Sequence, residues 1–239
     1  MIKKILAAAC AALLASSAIA EAPEAAVKKS VEAALGEGAK VDSVRKVGAL
    51  NLYEIVINGE ILYTDEKVTH LVFGQIVEAK TQRNLTQERL DKLSAIKFSD
   101  LPLDLAIKQV RGNGKRILAT FEDPNCTYCK KLAKELQGIT DVTTYTFVYP
   151  IFPNSQDVAK AIWCAPDRAK AWNDYLINGN APPAAAKCDS SAIGKVVALG
   201  QKLNIRGTPA LFFGDGTRVP GYMPAAKLEE AMNKVAAAR

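Results

Sequence analysis

The chain has 239 residues, with 31 Lys and Arg against 25 Asp and Glu, and a formal net charge of +6. Charges of both signs are interspersed, so the surface reads as solvated and nothing marks a nucleic-acid partner. One histidine and five cysteines make sulfur, not imidazole, the reactive chemistry to look for.

Residues 1–20 have the order of a secretory signal: basic Lys3 and Lys4, an apolar run over 5–14, and the small-residue site Ala18-Ile19-Ala20. Cys10 falls inside that apolar run and is expected to be discarded with it. Cleavage near Glu21 removes Lys3 and Lys4, lowers the net charge to +4, and sends the mature chain out of the cytoplasm. No later apolar stretch is long enough to span a bilayer.

Residues 23–36 predict a helix with Val27, Val31, Ala34 and Leu35 on one face, ended by Gly36 and Gly38. Strand-like runs follow over 41–47, 52–57, 61–63 and 68–77. Asn58-Gly59 marks a hairpin, because both residues tolerate positive φ. His70 falls in the last of these runs as a surface or partly buried strand residue. Residues 21–82 therefore form a small α+β domain whose exposed sheet edges invite a second copy. A linker over 83–102 follows, with a helix at 87–96, Thr86 as N-cap and a Leu85–Leu90 staple.

Residues 103–239 read as an α/β domain. Strands at 106–110 and 116–121 flank Gly112-Asn113-Gly114, which predicts a second hairpin. A phosphate loop is the sharper reading of those glycines, but the P-loop spacing and helix are absent. A strand at 142–148 and helices at 157–163, 168–177 and 191–203 come next, with Trp163 and Trp172 expected in the core. Gly207-Thr208-Pro209 leads into a strand at 210–213, a turn at 214–216, a short strand at 217–219, and a last amphipathic helix at 224–237.

Cys126-Thr127-Tyr128-Cys129 lies between the second strand of this domain and a helix-like stretch. A thiolate at a helix start is stabilised by unpaired backbone N–H groups and the helix dipole, so Cys126 is the candidate nucleophile and Cys129 the candidate resolving thiol. The bland alternative is an ordinary structural disulfide between the two. Four mature cysteines allow three pairings. Local pairing of Cys126 with Cys129 leaves Cys164 and Cys188, which can close a loop of about 25 residues worth roughly 3–4 kcal/mol. A second redox pair and a four-cysteine zinc site are the other readings. Zinc sites of that kind usually show two close pairs, and this chain has one.

The order of these elements resembles the thioredoxin superfamily, with Gly207-Thr208-Pro209 matching its cis-proline loop. The whole mature chain resembles the periplasmic disulfide isomerase family of DsbC and DsbG. Phe121-Glu122-Asp123-Pro124-Asn125-Cys126, Tyr145-Thr146-Phe147-Val148-Tyr149-Pro150, Ala161-Ile162-Trp163-Cys164 and Gly207-Thr208-Pro209 carry the likeness. The resemblance implies a cystatin-like N-terminal dimerisation domain, a linker helix and a thioredoxin-like domain with a helical insertion. It implies a homodimer in the periplasm that reshuffles wrong disulfides in misfolded exported proteins. It implies no cofactor or metal, and a membrane thiol reductase of the DsbD type that keeps the motif reduced. Thr208, Pro209, Tyr128 and Thr127 would meet the substrate, and Cys164–Cys188 would be the structural bridge. A DsbG-like holdase and reductase of sulfenylated cysteines, or a dithiol oxidase, are the alternative roles. Two departures stand out. The family isomerase commonly has Gly-Tyr between its cysteines, where this chain has Thr127-Tyr128. Many thioredoxins hold a buried acid six residues before the first cysteine, where this chain has Thr120. Glu122 and Asp123 lie close by and are expected to be solvated, with no part in proton transfer.

Overall fold

The computed structural model describes residues 23–182 and 187–237; the signal sequence read over 1–20 lies outside them. The chain divides into two compact units, one through Gly74 and one from Gln75.

In the first unit helix α1 (Pro23–Leu35) packs on an antiparallel sheet of β1 (Ser43–Val47), β2 (Leu52–Ile57), β3 (Glu60–Thr64) and β4 (Leu71–Val72), in that order. Val27 and Val31, one helical turn apart, are buried against Val41, Tyr53, Ile55 and Leu62. Asn58 and Gly59 both take positive φ, 53° and 78°, and close β2 onto β3 as their types demand. The strand expected over 68–77 shrinks to the two residues of β4. Asp65 accounts for its late start: its carboxylate accepts the backbone N–H groups of Lys67, Thr69 and His70 and holds them out of the ladder. His70 is correspondingly an exposed loop residue, not a strand residue.

In the second unit α2 (Leu85–Ser94) begins two residues earlier than expected. Its N-cap is Asn84, whose side chain accepts the Gln87 N–H at 2.9 Å. Thr86 is buried and instead accepts the Ile76 N–H at 2.8 Å. Leu85 is thereby the first helical residue, not the staple position before a cap.

The sheet of this unit contains β5 (Ile107–Arg111), β6 (Arg116–Glu122), β7 (Val142–Val148), β8 (Ala210–Phe213) and β9 (Arg218–Pro220), in the order β5-β7-β6-β8-β9. The hairpin expected between β5 and β6 does not form, since β7 inserts between them, antiparallel to β5 and parallel to β6. The glycine turn docks on the start of β7 instead. Asn113 donates its N–H to Asp141 at 2.9 Å, and a Cβ on Gly112 would come within 2.3 Å of the same carboxylate. Helix α3 (Thr127–Leu136) makes the crossover from β6 to β7. The remaining helices are α4 (Ser155–Trp163), α5 (Arg168–Asn178), α6 (Ser191–Lys202) and α7 (Ala225–Ala237).

Strand β6 shows how the core is divided. Ala119 and Phe121 point into a cluster with Phe147, Tyr149, Val196 and Phe212, where Phe121 stacks on Phe147 at 4.7 Å. Leu118 points the other way, against Leu132 and Leu136 of α3. By the period-two rule Thr120 and Glu122 share the side of Leu118, towards α3.

Candidate active site

Cys126 is the N-cap of α3, and its sulfur occupies the place of an ordinary capping oxygen. The Cys129 N–H points at Sγ from 3.3 Å. On its other side Cys126, while protonated, donates to the Thr208 carbonyl at 3.2 Å. The Thr208–Pro209 peptide bond is cis. The Thr208 hydroxyl is buried and makes no hydrogen bond among the described residues in the resting geometry, which leaves it available to a Cys126 thiolate. Cys126 is 5% exposed and Cys129 is fully buried one turn along the same helix. Both are free thiols.

The two sulfurs are driven apart electrostatically. The hydrogen bond with Cys129 pulls the Cys126 pKa down to about 6 against the opposing effect of burial, with help from the Thr208 hydroxyl and the Cys129 and Tyr128 N–H groups. Burial pushes the Cys129 thiol far up, as do its hydrogen bond with Cys126 and the negative charge of Glu122. One sulfur is therefore a thiolate at neutral pH and the other holds its proton.

Glu122 and Asp123 overturn the expectation of solvated flanking acids, being 1% and 0% exposed. Asp123 accepts the N–H groups of Asn125, Ile151 and Phe152 and the Ser155 hydroxyl, at 2.6–2.9 Å. Asn125 in turn donates to Ser155 and accepts from the Tyr175 hydroxyl. The loop that delivers Cys126 is thus tied to α4, α5 and the segment after β7. Glu122 accepts the Thr120 hydroxyl at 2.6 Å. Burial raises its pKa to about 7, partly offset by Thr120 and reinforced by the Cys126 charge. Strand alternation was the available signal: Thr120 and Glu122 fall on the side of Leu118, towards α3.

Thr127 is exposed as the first residue of α3, and Tyr128 is 59% exposed with its ring 5.9 Å from that of Tyr222. Sequence reasoning did not single out Tyr222. Glu135 of α3 holds it by accepting the Tyr222 hydroxyl, and Lys131 lies over its ring at 4.5 Å. Ile151 and Phe152 remain exposed although Asp123 fixes their backbone. Thr208 is half-buried and Pro209 buried.

Cys164 and Cys188 are joined by a disulfide with a Cα–Cα distance of 5.7 Å. Cys164 is the C-cap of α4, and its N–H donates to the Lys160 carbonyl. Among the described residues no three His, Cys, Asp or Glu side chains gather as a metal site, and no helix is long and apolar enough to cross a membrane.

The same two-part organisation recurs in known proteins. The family described as thioredoxin-like domain matches residues 103–236, and the family described as disulfide bond isomerase protein N-terminal domain matches residues 18–87. The probable thiol:disulfide interchange protein DsbC of Bordetella pertussis is 47% identical over 214 residues, covering 89% of this chain and 76% of that one. The chain belongs to the DsbC family. Its DsbC relative in Escherichia coli K12 is 27% identical, and that alignment covers 93% of this chain and 92% of the relative. A solved disulfide interchange protein from Neisseria gonorrhoeae is 43% identical, covers 56% of this chain and 97% of its own, and superposes with a TM-score of 0.54. As a DsbC-family protein the chain is a thiol-disulfide oxidoreductase with a thioredoxin-like domain.

Proposed function

We propose that this protein is a periplasmic disulfide isomerase and reductase whose nucleophile is Cys126 and whose resolving thiol is Cys129. The observation that carries the reading is the placement of Cys126: a sulfur at the N-terminus of α3, facing the Cys129 N–H, beside the cis Thr208–Pro209 loop. The Cys126 thiolate attacks one sulfur of a wrong substrate disulfide, forming a mixed disulfide and expelling the other substrate sulfur as a thiolate. That thiolate can attack a different disulfide of the same chain and free Cys126, which completes an isomerisation. Alternatively Cys129 attacks the Cys126 sulfur, an internal disulfide forms, and the substrate leaves reduced. Thr208, Pro209, Thr127 and Tyr128 border the attacking sulfur and would align the substrate backbone.

The N-terminal domain supports a homodimer, and the leader over 1–20 supports export. A reductive cycle requires an outside thiol donor, for which a DsbD-type membrane reductase is the proposed partner. Exposed Tyr128, Ile151 and Phe152 favour binding of unfolded polypeptide, which supports chaperone activity beside the redox role. The test uses scrambled ribonuclease. Wild type should restore its activity, while Cys126→Ala should not, and Cys129→Ser should accumulate a mixed disulfide. Restoration by Cys126→Ala at the wild-type rate would sink the reading. In cells, thiol trapping should find the Cys126/Cys129 pair reduced; a pair found oxidised would favour a dithiol oxidase.

A further inference from the structure

Helix α5 is seated by Trp172 and Leu176, both buried. Tyr175, on the same helix, packs half-buried against their cluster, and packing alone would be served by phenylalanine. Its hydroxyl leaves the helix and donates to Asn125 Oδ1 at 2.7 Å, across 50 positions of sequence. Its ring carries the Lys130 ammonium 5.3 Å from the centroid. Asn125 is the residue just before Cys126, and Lys130 is the residue just after Cys129. One side chain from outside the redox motif therefore touches both of its flanks.

Asn125 passes the contact on. Its Nδ2 donates to Ser155 Oγ at 3.0 Å, and the Ser155 hydroxyl donates to Asp123 Oδ1 at 2.6 Å. The one proton of Ser155 is thus committed to Asp123, so Ser155 can only accept from Asn125. That fixes the orientation of the Asn125 amide and leaves its Oδ1 for Tyr175. The Asn125 N–H reaches the same Asp123 oxygen at 2.7 Å, and the Cys126 N–H donates to the Asp123 carbonyl at 3.1 Å. The Cys126 sulfur in turn sits 3.3 Å from the Cys129 nitrogen and 3.2 Å from the Thr208 carbonyl. A small rotation of the segment from Asn125 to Cys126 would change both contacts.

We propose that Tyr175 is a positioning residue for the redox reaction: through Asn125 it keeps the Cys126 sulfur aligned on the N–H groups at the start of α3. This rests on the roles given above to the two cysteines. An N–H aimed at sulfur favours the thiolate over the thiol, so lost alignment raises the thiol pKa. The titratable and charged groups around Cys126 are Glu122 of β6, Asp123 of the loop, Cys129 and Lys130 of α3, and Tyr175 itself on α5. Thr208 and Pro209 bring no charge. Tyr175→Phe alters the charge of none of the other groups and keeps a ring beneath Lys130, so it isolates alignment.

Ellman's disulfide reads Cys126 directly, because its attack releases one coloured thiolate before Cys129 releases the second. In wild type the first release should follow a midpoint of about 6. In Tyr175→Phe that midpoint should rise by about half a pH unit, which slows the first release about threefold at about pH 5 and closes the deficit by about pH 8. Asn125→Ala should raise it by about one unit, with a deficit of about tenfold at about pH 5. The two changes together should do no more than Asn125→Ala alone, because Tyr175 acts through Asn125. An unchanged midpoint in Tyr175→Phe, equal slowing at every pH, or shifts that add in the double variant would each overturn the proposal. Absence of the first release in wild type would instead remove the cysteine assignment on which it stands.

Discussion

The second unit holds two cysteine pairs whose first members lie at opposite ends of helices. Cys126 begins α3, where unpaired N–H groups and the positive end of the dipole stabilise a thiolate. Cys164 ends α4, where unpaired carbonyls and the negative end of the dipole disfavour one. The first pair is separated by two residues and shares one helix. The second spans 24 positions and encloses α5. One element type, a capped helix, therefore supplies both a reactive sulfur and an inert one, and what decides between them is which end the cysteine occupies.

The sharpest way to break that contrast is to remove Cys126. Cys126→Ala should lower the rate of ribonuclease repair by more than about a hundredfold, whereas the double change Cys164→Ala and Cys188→Ala should leave the first thiol-release step unchanged. The double change should act on stability instead, by about 3–4 kcal/mol of lost loop constraint, measured by urea unfolding. Equal effects of both changes on thiol release would abolish the distinction.

Glu122 provides a pH-resolved test of the environment on the reactive side. Its folded pKa is raised to about 7, so the neutral form is favoured by folding. The associated stability is complete below its ordinary value of 4.5 and is lost as pH rises through about 7. Glu122→Gln removes that dependence, and in the reduced state it should gain on wild type by about 3 kcal/mol between acid pH and pH 8. A constant difference across that range would mean Glu122 does not titrate there.

Cys126 has the opposite sign. Its pKa is lowered from 9.0 to about 6, so thiolate-linked stability is complete above the ordinary value and is lost as pH falls through about 6. Alkylation of reduced protein should show a midpoint near pH 6. Thr208→Val, which removes a hydroxyl that helps the thiolate, should move that midpoint upward by less than the loss of the Cys129 interaction would. A midpoint near the ordinary thiol value would place Cys126 with Cys164 as an unactivated sulfur.

Local patterns in the sequence determined a good part of this molecule. Asn58-Gly59 closes its hairpin because both types accept positive φ wherever they stand. Val27 and Val31 face inward because a helix repeats every 3.6 residues. Cys126 starts a helix because the residues after it favour one and it can cap. Strand pairing and burial are nonlocal, and there the tertiary structure decided. Gly112-Asn113-Gly114 turns the chain as expected, but β7 arrives from beyond α3 to occupy the gap, and a turn's chemistry cannot report a strand thirty residues away. Asp65 delayed the start of a strand by offering the backbone nearer partners. Glu122 and Asp123 look like surface acids in sequence and become core groups only when α3, α4 and the segment after β7 close over them. Charge in a sequence predicts solvation until a fold supplies donors. Here it supplies four donors to Asp123, and it leaves one oxygen of Glu122 free on the side of the sheet where the sulfurs lie.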